Sequence, residues 1–504
     1  MKAISDDHLV SMTRRLDSTE FSENHQENKL LHADLRDGEV LLETSRSLCP
    51  KCLKVIECQI VSRENKVYMR KYCEEHDLFE VLIYSDADDF INSAQYNKPG
   101  KKPLHYQSSV AKGCPEDCGL CEAHLQHTCV GVIEITDRCN QNCPVCFADA
   151  KGSFTLPFER IKEMIDLYVK CEGEPEVLQI SGGEPTLHPD IFRILRYAGQ
   201  KGIKFPMLNT NGLKLANREF AEEMSRTIEN KELQNGKLLI YLQFDGLSDD
   251  TNRALRGRPL LDLKMQALDN CRELDIPVAL VPTIVKGVNE HEIGPIIDLA
   301  LSDRNIKMVN FQPLTLVGRC NLKDSQTGRM TIPEILSEIE KQTGGLLKKN
   351  SFINLPCPHP TCSVCSYIYK SEERTIVLTE LFDVNHYMEY IVNRAVPGVE
   401  ITAEMEQMFD TFSSIFAETV QGKTGKATCP SCSMSFPRLG EFVDNITYIS
   451  VHAFMDEYTF DIKRAQKCCI TEILPNGQMI PFCVYNILYR KHLSPTFEHL
   501  SERG

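Results

Sequence analysis

Three cysteines with the spacing CxxxCxxC, Cys139, Cys143 and Cys146, constrain this chain more than any other feature. Cysteine thiolate is the preferred ligand of iron-sulfur clusters, and this short spacing lets three sulfurs hold three irons of a [4Fe-4S] cube. The fourth iron stays open and can chelate a ligand that carries both an amino and a carboxylate group. The alternative interpretation is a zinc site, which usually needs a fourth Cys or His close by.

The pattern around these cysteines predicts an α/β fold. Apolar strands alternate with amphipathic helices from Val130 to about Thr343, and residues 130–345 form the predicted core. Six β/α units predict a parallel sheet and an open, partial barrel rather than a closed one of eight. The cysteines follow the first strand, and the C-terminal ends of barrel strands are where active sites lie. The predicted strands are Val130 to Ile135, Val177 to Ile180, Phe205 to Leu208, Leu238 to Phe244, Val278 to Val285 and Met308 to Phe311.

A second group of metal ligands is predicted before this core. Cys49 and Cys52 form a CPxC pair, and Cys73 and His76 follow about twenty residues later. Two such pairs on turns predict a small ribbon, residues 44–85, closed by one zinc ion or by a rubredoxin-like single iron.

Two further cysteine groups suggest auxiliary iron-sulfur clusters. The first lies in segment 86–129, and the second lies in a C-terminal domain spanning 346–504. Cys429, Cys432, Cys468 and Cys469 receive no assignment from the sequence. The predicted ligands are Cys114, Cys118, Cys121 and Cys129 for the first cluster, and Cys357, Cys362, Cys365 and Cys483 for the second.

Composition excludes some classes of function. The net charge is 56 − 71 = −15, which gives no whole-chain basic footprint for nucleic acid. Residues 1–43 are polar, with a short helix predicted from Leu9 to Leu16, and they lack the apolar core of a signal peptide. No run approaches the roughly 18 apolar residues of a membrane span. We therefore expect a cytoplasmic protein whose 22 cysteines serve mainly as metal ligands.

The cysteine motif, together with the segment SGGEP at residues 181–185, resembles the radical S-adenosylmethionine (radical SAM) superfamily. That resemblance implies a partial (β/α)6 barrel in which a reduced cluster cleaves SAM to a 5′-deoxyadenosyl radical. Glycines let the backbone approach the methionine amino group, and Glu184 offers it a carboxylate. The expected cofactors are SAM, about three [4Fe-4S] clusters and one mononuclear zinc or iron. The predicted SAM-binding or substrate-facing residues are Gly182, Gly183, Glu184, Asn209, Asn211, Gln243 and Asp245.

The order of all motifs is similar to an archaeal radical SAM family that contains tetraether lipid synthase and 7,8-dihydro-6-hydroxymethylpterin dimethyltransferases. The resemblance implies, as first interpretation, carbon-carbon coupling of the terminal methyl carbons of archaeal phytanyl lipid chains. A lipid drawn from the membrane would then bring the protein to the membrane surface. The alternative is methylation of a pterin during methanopterin synthesis. An external electron donor such as ferredoxin or flavodoxin is expected, and a non-catalytic electron carrier is disfavoured because a carrier needs no open iron.

Overall fold

The computed structural model describes residues 35–150, 152, 154–229, 238–322, 328–371, 375–381, 391–394 and 444–491. Two sequence predictions lie outside these ranges. They are the helix predicted within residues 1–34 and any metal site at Cys429 and Cys432.

The described chain begins with a four-stranded antiparallel sheet in which consecutive strands pair in the order β1-β2-β3-β4. Its two central strands are largely buried, with four consecutive buried residues, Cys58 to Val61, in the second strand. This ribbon is β1 (Val40–Leu48), β2 (Val55–Arg63), β3 (Lys66–Cys73) and β4 (Asp77–Tyr84). A short helix, α1 (Ala87–Ser93), follows it.

The predicted barrel is present, and its six parallel strands fall where the apolar runs placed them. Neighbouring strands pair in parallel register in the order β12-β10-β9-β8-β7-β5. Their nearly continuous burial is typical of strands covered on both faces. The strands of this region are β5 (Val130–Thr136), β6 (Val145–Cys146), β7 (Val177–Gly182), β8 (Phe205–Thr210), β9 (Leu239–Gln243), β10 (Val278–Val281), β11 (Thr283–Ile284), β12 (Ile306–Pro313) and β13 (Arg319–Cys320).

Helices connect these strands and bury one apolar face against the sheet. In α2, for example, Ile161, Met164, Ile165 and Tyr168 recur at helical spacing and are buried. The helices are α2 (Phe158–Glu172), α3 (Ile191–Gln200), α4 (Arg218–Glu229), α5 (Asp249–Arg256), α6 (Leu261–Glu273), α7 (Ile293–Ser302) and α8 (Ile332–Gln342).

The C-terminal part extends the barrel sheet at both edges instead of forming a layer of its own. The sheet order becomes β14-β15-β17-β12 at one edge and β5-β18-β19 at the other, with β17 and β18 parallel to their barrel neighbours. Residues from 346 onward therefore help to shape the barrel interior. The elements are β14 (Ile353–Asn354), β15 (Ser363–Lys370), β16 (Thr375–Val377), β17 (Ile446–His452), α9 (Ile462–Gln466), β18 (Ile470–Ile473), β19 (Met479–Pro481) and α10 (Phe482–Val484).

Polar contacts fix the ribbon to this C-terminal part. Lys71 is fully buried, and its Nζ donates to Ser47 Oγ at 3.0 Å and to the carbonyl of Glu457 at 2.9 Å. Ser45 Oγ donates to Asp461 Oδ1 at 2.6 Å. Buried polar groups are tolerated only when paired, so these bonds define one way for the ribbon to dock. None of the described helices has the length and apolar character needed to cross a membrane.

Candidate active site

A cavity of about 360 Å³ opens at the C-terminal ends of the barrel strands. It brings together the cysteine motif and most residues that the sequence assigned to SAM or substrate. Asp245 is absent from its wall. The predicted residues that line it are Cys139, Cys143, Cys146, Gly182, Gly183, Glu184, Asn209, Asn211 and Gln243.

The loop that carries the three cysteines is held by a buried ion pair that includes Asp245. Both carboxylate oxygens of Asp245 accept from Arg256, at 2.6 and 2.7 Å, and Arg256 Nη1 donates to the carbonyl of Val145 at 2.8 Å. Asp245 also accepts from the backbone N–H of Thr283. Asp245, predicted to face SAM or the substrate, is fully buried with both oxygens engaged and lies outside the cavity wall. Its role is to orient Arg256 against the cysteine loop.

The two glycines after β7 are required by the same loop. A Cβ on Gly182, whose φ is 130°, would lie 2.0 Å from the carbonyl oxygen of Thr136, and one on Gly183 would lie 2.5 Å from that of Arg138. Gly183 N–H donates to Thr136 O at 2.7 Å. The glycines thus allow the start of the cysteine loop to pass directly over the end of β7, a close approach that any side chain would block.

Glu184 is buried and connects two strand ends. Its carboxylate accepts from Thr186 Oγ1 at 2.5 Å, from Thr210 Oγ1 at 2.7 Å and from the backbone N–H of Asn211 at 2.8 Å. Burial raises the pKa of Glu184, and these hydrogen bonds oppose that rise. The side chain lies on the cavity wall, yet its first task is to hold the ends of β7 and β8 together.

A buried lysine supports the end of β9. Lys264 on α6 is fully buried, and its Nζ donates to the backbone carbonyl of Gln243 and, at 2.8 Å, to Gln243 Oε1. Burial lowers the pKa of Lys264 to about 8. The Gln243 side-chain nitrogen in turn donates to Asp245. Gln243 therefore has a fixed orientation at the cavity wall.

The ribbon assembles the four predicted ligands of a mononuclear metal. The ligand atoms of Cys49, Cys52, Cys73 and His76 all lie within 4.8 Å of one another. His76 Nδ1 is 3.5 Å from the sulfurs of both Cys49 and Cys73. Burial raises the pKa of Cys49, but N–H groups of Cys52 and Lys51 outweigh it and lower that pKa to about 7. This geometry suits one tetrahedral ion.

A second compact group differs from the sequence prediction. The sulfurs of Cys129, Cys357 and Cys469 lie within 4.8 Å of one another, and all three residues are buried. Cys129 had been assigned to the cluster of the 114–121 loop, but the pairing of β5 with β18 places it beside Cys469. The backbone N–H groups of Cys129 and Val130 both donate to the carbonyl of Cys469, at 2.9 and 3.0 Å. Cys357 and Cys469 also line the cavity.

The 114–121 loop lies near Cys468, because His124 Nε2 hydrogen-bonds to the carbonyl of Cys468 at 2.9 Å. The neighbouring thiol of Cys114 raises the pKa of Cys118, and burial and the charges of Cys121 and Cys468 raise it further. Cys468 is the neighbour of Cys469 in the sequence, but only Cys469 belongs to the compact group with Cys129 and Cys357. That division depends on the backbone conformation, which no spacing rule in the sequence reveals.

The three remaining cysteines predicted for the second auxiliary cluster lie outside the compact thiol group. Cys365 lies on β15 in a small apolar cluster with Tyr448, and burial raises its pKa to about 12. Cys483 accepts from the backbone N–H of Met455 at 3.4 Å and packs in the main core. Cys362 accepts from Arg464 Nε at 3.2 Å. Side chains on β15 alternate between the two faces of the sheet. The thiol of Cys365 lies on the face with the apolar cluster and does not join the compact thiol group.

The donor set and spacing of the cavity cysteines fit a [4Fe-4S] cluster. Among the described residues, two groups bring three or more ligand atoms within 4.8 Å of one another, and Cys139, Cys143 and Cys146 belong to neither. A single zinc ion would need them that close, whereas in a cube each thiolate binds a different iron.

Sequence reasoning missed a second buried arginine at the cavity wall. Arg490 donates to both oxygens of Glu134, at 2.7 and 2.8 Å, and weakly to the carbonyl of Ala148 beyond the cysteine loop. Glu472, on β18, is buried with no hydrogen-bond partner for either oxygen among the described residues. Burial raises its pKa, with Glu134 as the next cause. A charged residue within an apolar strand pattern was the signal available for Glu134 and Glu472.

Two family models match parts of this chain. The family model of the radical SAM superfamily matches residues 133–300, and that of the HMPTM N-terminal zinc ribbon domain matches residues 41–85. Among solved structures, Streptococcus suis SuiB bound to its precursor peptide SuiA matches with a TM-score of 0.36 and 18% identity, over 44% of this chain and 46% of that chain.

Two relatives come from archaea. The chain is 35% identical to the Fe-coproporphyrin III synthase of Methanosarcina barkeri, over 38% of this chain and 45% of that protein. It is 32% identical to the 7,8-dihydro-6-hydroxymethylpterin dimethyltransferase of Methanocaldococcus jannaschii, over 90% of this chain and 94% of that protein. The chain is therefore a radical SAM enzyme and belongs to the family of the Methanocaldococcus jannaschii protein.

Proposed function

We propose that this enzyme forms carbon-carbon bonds on a compact, polar heterocycle of the pterin class by radical methylation. The proposal follows the name of the relative that matches nearly the whole chain. It reverses the order of the two interpretations that the sequence suggested, because lipid coupling finds no support among the names of the reported relatives. When bound, the [4Fe-4S] cluster supplies the electron that cleaves SAM and so produces the 5′-deoxyadenosyl radical.

The chain's own residues would position and shield this chemistry. Cys139, Cys143 and Cys146 would hold the cluster, and Arg256 would keep their loop in place through the carbonyl of Val145. We further propose that the walls at Gly182 to Glu184, Asn211 and Gln243 hold SAM. These residues share the cavity with the cysteines.

The observation that carries the proposal is a belt of hydrogen-bonding side chains across the cavity wall. Tyr241 OH accepts from Asn310 Nδ2 at 2.5 Å and from Gln312 Nε2 at 3.1 Å. On the neighbouring strand β8 the register partner of Tyr241 is Asn209, whose Nδ2 donates to Ser181 Oγ at 3.2 Å and whose Oδ1 is buried with no partner among the described residues. A pterin presents alternating donors and acceptors that can satisfy such groups. A saturated chain would leave the buried Asn209 Oδ1 unpaired, at a cost of about 1–3 kcal/mol.

A second candidate, coupling of saturated lipid chains, is favoured by one specific observation. The N-terminal half of the barrel interior is apolar, with Val130, Val132, Val177 and Met207 on the cavity wall. Burial of a chain against such a surface contributes about 0.8 kcal/mol per CH₂. A pterin would therefore contact the polar belt of the cavity, whereas a lipid chain would contact its apolar N-terminal half.

Incubation with each of the two candidate substrates tests the proposal. The anaerobically reconstituted enzyme is incubated with SAM, a reductant and either 7,8-dihydro-6-hydroxymethylpterin or archaeal phospholipid deuterated at its terminal methyl groups. We expect methylated pterin by mass spectrometry and no deuterium in 5′-deoxyadenosine from the lipid. Coupled lipid with deuterium transfer, and no pterin product, would establish the second candidate instead.

Two variants locate the substrate within the cavity. Tyr241→Phe removes the hydroxyl at the centre of the polar belt and should lower pterin turnover about tenfold, the effect of roughly 1.4 kcal/mol. Val132→Thr adds a hydroxyl to the apolar end and should leave pterin turnover close to wild type. Lipid coupling predicts the opposite ranking. A Cys139→Ala, Cys143→Ala, Cys146→Ala variant provides the background without SAM cleavage.

We also propose a revised division of the remaining metal ligands. The 114–121 loop with Cys468 would hold one auxiliary metal-sulfur centre, supported by the mutual interactions of Cys118 with Cys114, Cys121 and Cys468. The compact thiol group of Cys129, Cys357 and Cys469 would hold another. The ribbon would hold one mononuclear ion.

A further inference from the structure

A basic segment crosses the surface between the ribbon and the barrel. Residues 97–112 contain four lysines and no aspartate or glutamate, in a chain whose net charge is −15. All four lysines are exposed. Lys98, Lys101 and Lys102 form no ion pair with any other described residue. The part of the segment from Lys98 to Lys102 is therefore an unneutralised positive surface on an acidic protein.

The same segment exposes apolar side chains. Leu104 is 65% exposed, Val110 is 49% exposed and Tyr106 is 41% exposed. Leu125, in the loop after the cysteines, is 48% exposed as well. Exposed apolar groups ringed by polar ones are typical of protein interaction sites.

The segment is attached directly to a cysteine loop. Gln107 N–H donates to the carbonyl of Leu120 at 3.0 Å, and Ser108 Oγ donates to that of Asp117 at 2.7 Å. The Asp117 carboxylate accepts from the N–H groups of Ala111 and Gly113, both at 2.7 Å. The basic, partly apolar surface thus lies beside the half-exposed residues Cys114 and Cys118.

We propose that residues 97–112, which we call the basic strap, are the docking site for a small acidic one-electron carrier protein of the ferredoxin type. One electron leaves the reduced iron-sulfur cluster of the carrier and reduces the metal centre at the 114–121 loop, with no bond made or broken. Opposite charges steer such partners and raise their association rates. Electron-transfer complexes are small, in keeping with a strap of this size. The inference rests on the metal centre proposed for this loop and not on the substrate.

Stopped-flow reduction tests the docking site on the reconstituted holoenzyme. A reduced clostridial ferredoxin is mixed with wild type and with Lys101→Glu/Lys102→Glu, and cluster bleaching is followed at low and high salt. We expect the variant to be reduced at least tenfold more slowly at low salt, with the difference shrinking as salt screens the charges. A Leu104→Asp variant, which removes apolar contact without removing a lysine, should also slow reduction.

Two controls make the result specific. Lys348→Glu/Lys349→Glu, an exposed adjacent pair outside the basic strap, makes the same charge change and should react like wild type. Dithionite, a small reductant, should reduce every variant at the wild-type rate, which shows that the metal centre itself is present and intact. Equal ferredoxin rates for wild type and Lys101→Glu/Lys102→Glu, or equal slowing in the Lys348→Glu/Lys349→Glu control, would overturn the proposal. So would strap-dependent binding to phosphatidylglycerol vesicles with unchanged ferredoxin rates.

Discussion

Two groups of candidate metal ligands, the ribbon group and the buried thiol group, are built in opposite ways. Cys49, Cys52, Cys73 and His76 come from two turns of one antiparallel sheet, whereas Cys129, Cys357 and Cys469 come from three segments far apart in the sequence. A local group needs only its own turns to form. The group of Cys129, Cys357 and Cys469, which we call the distributed group, forms only when β18 pairs with β5 in the barrel sheet. Metal loss should therefore affect the ribbon alone in the first case and the whole barrel edge in the second.

The largest expected effect comes from the distributed group. Cys129→Ala/Cys469→Ala removes two of its three thiols at the junction of β5 and β18, so its metal should be lost. We expect the free energy of unfolding to fall by at least about 4 kcal/mol, the range in which loss of a metal site stands out. Anaerobic thermal unfolding with metal analysis measures both. A variant with wild-type metal content and stability would show that this group holds no metal.

The local group should give a smaller, confined effect. Cys52→Ala should remove about one metal ion per chain and increase hydrogen exchange only in residues 40–84. SAM cleavage should stay close to that of the wild type. Cys58→Ala is the matched control, since Cys58 is a buried cysteine of the same sheet outside the ligand group. Loss of four irons on changing Cys52 would contradict a mononuclear site.

Strand β18, which directly follows Cys469, also makes the stability of this edge of the barrel depend on pH. Burial raises the pKa of Glu472 well above its ordinary value of 4.5, with Glu134 and Arg490 also acting on it. The folded state therefore holds this proton more tightly than the unfolded chain, and stability falls as pH rises from 4.5 toward the raised pKa. Glu472→Gln should reduce that slope by up to about 1.4 kcal/mol per pH unit. Denaturant unfolding across pH measures it, and the exposed control Glu174→Gln should leave the slope unchanged. An unchanged slope in Glu472→Gln would show that Glu472 is ionised in the folded protein.

The smallest effect sets the baseline for losing a buried thiol. Cys271 on α6 is 1% exposed and lies in neither ligand group. Cys271→Ala should cost about 1 kcal/mol of packing and leave the metal content unchanged. If it cost as much as Cys129→Ala/Cys469→Ala, the difference between a metal-bound thiol and a packed one would disappear.

Much of the fold could be predicted from the sequence because its determinants are local. The six barrel strands are apolar runs, and Cys139, Cys143 and Cys146 occupy one loop whose length limits how far their sulfurs can separate. The ribbon ligands follow the same rule, since each CPxC or CxxH pair lies on a single turn. In all these cases covalent connection brings the side chains together before any tertiary contact forms.

Only the tertiary structure decided how the other groups are shared. Cys129 and Cys469 meet because Val130 pairs with Ile470, a register between distant strands that no spacing records. Asp245 faces Arg256 and not the cavity because α5 returns over the end of β9. Such contacts depend on long-range sheet pairing and on which buried charge finds a partner. The sequence by itself therefore determined the barrel, the ribbon and the cavity cysteines. The pairing of distant strands decided where the remaining thiols and the buried charges lie.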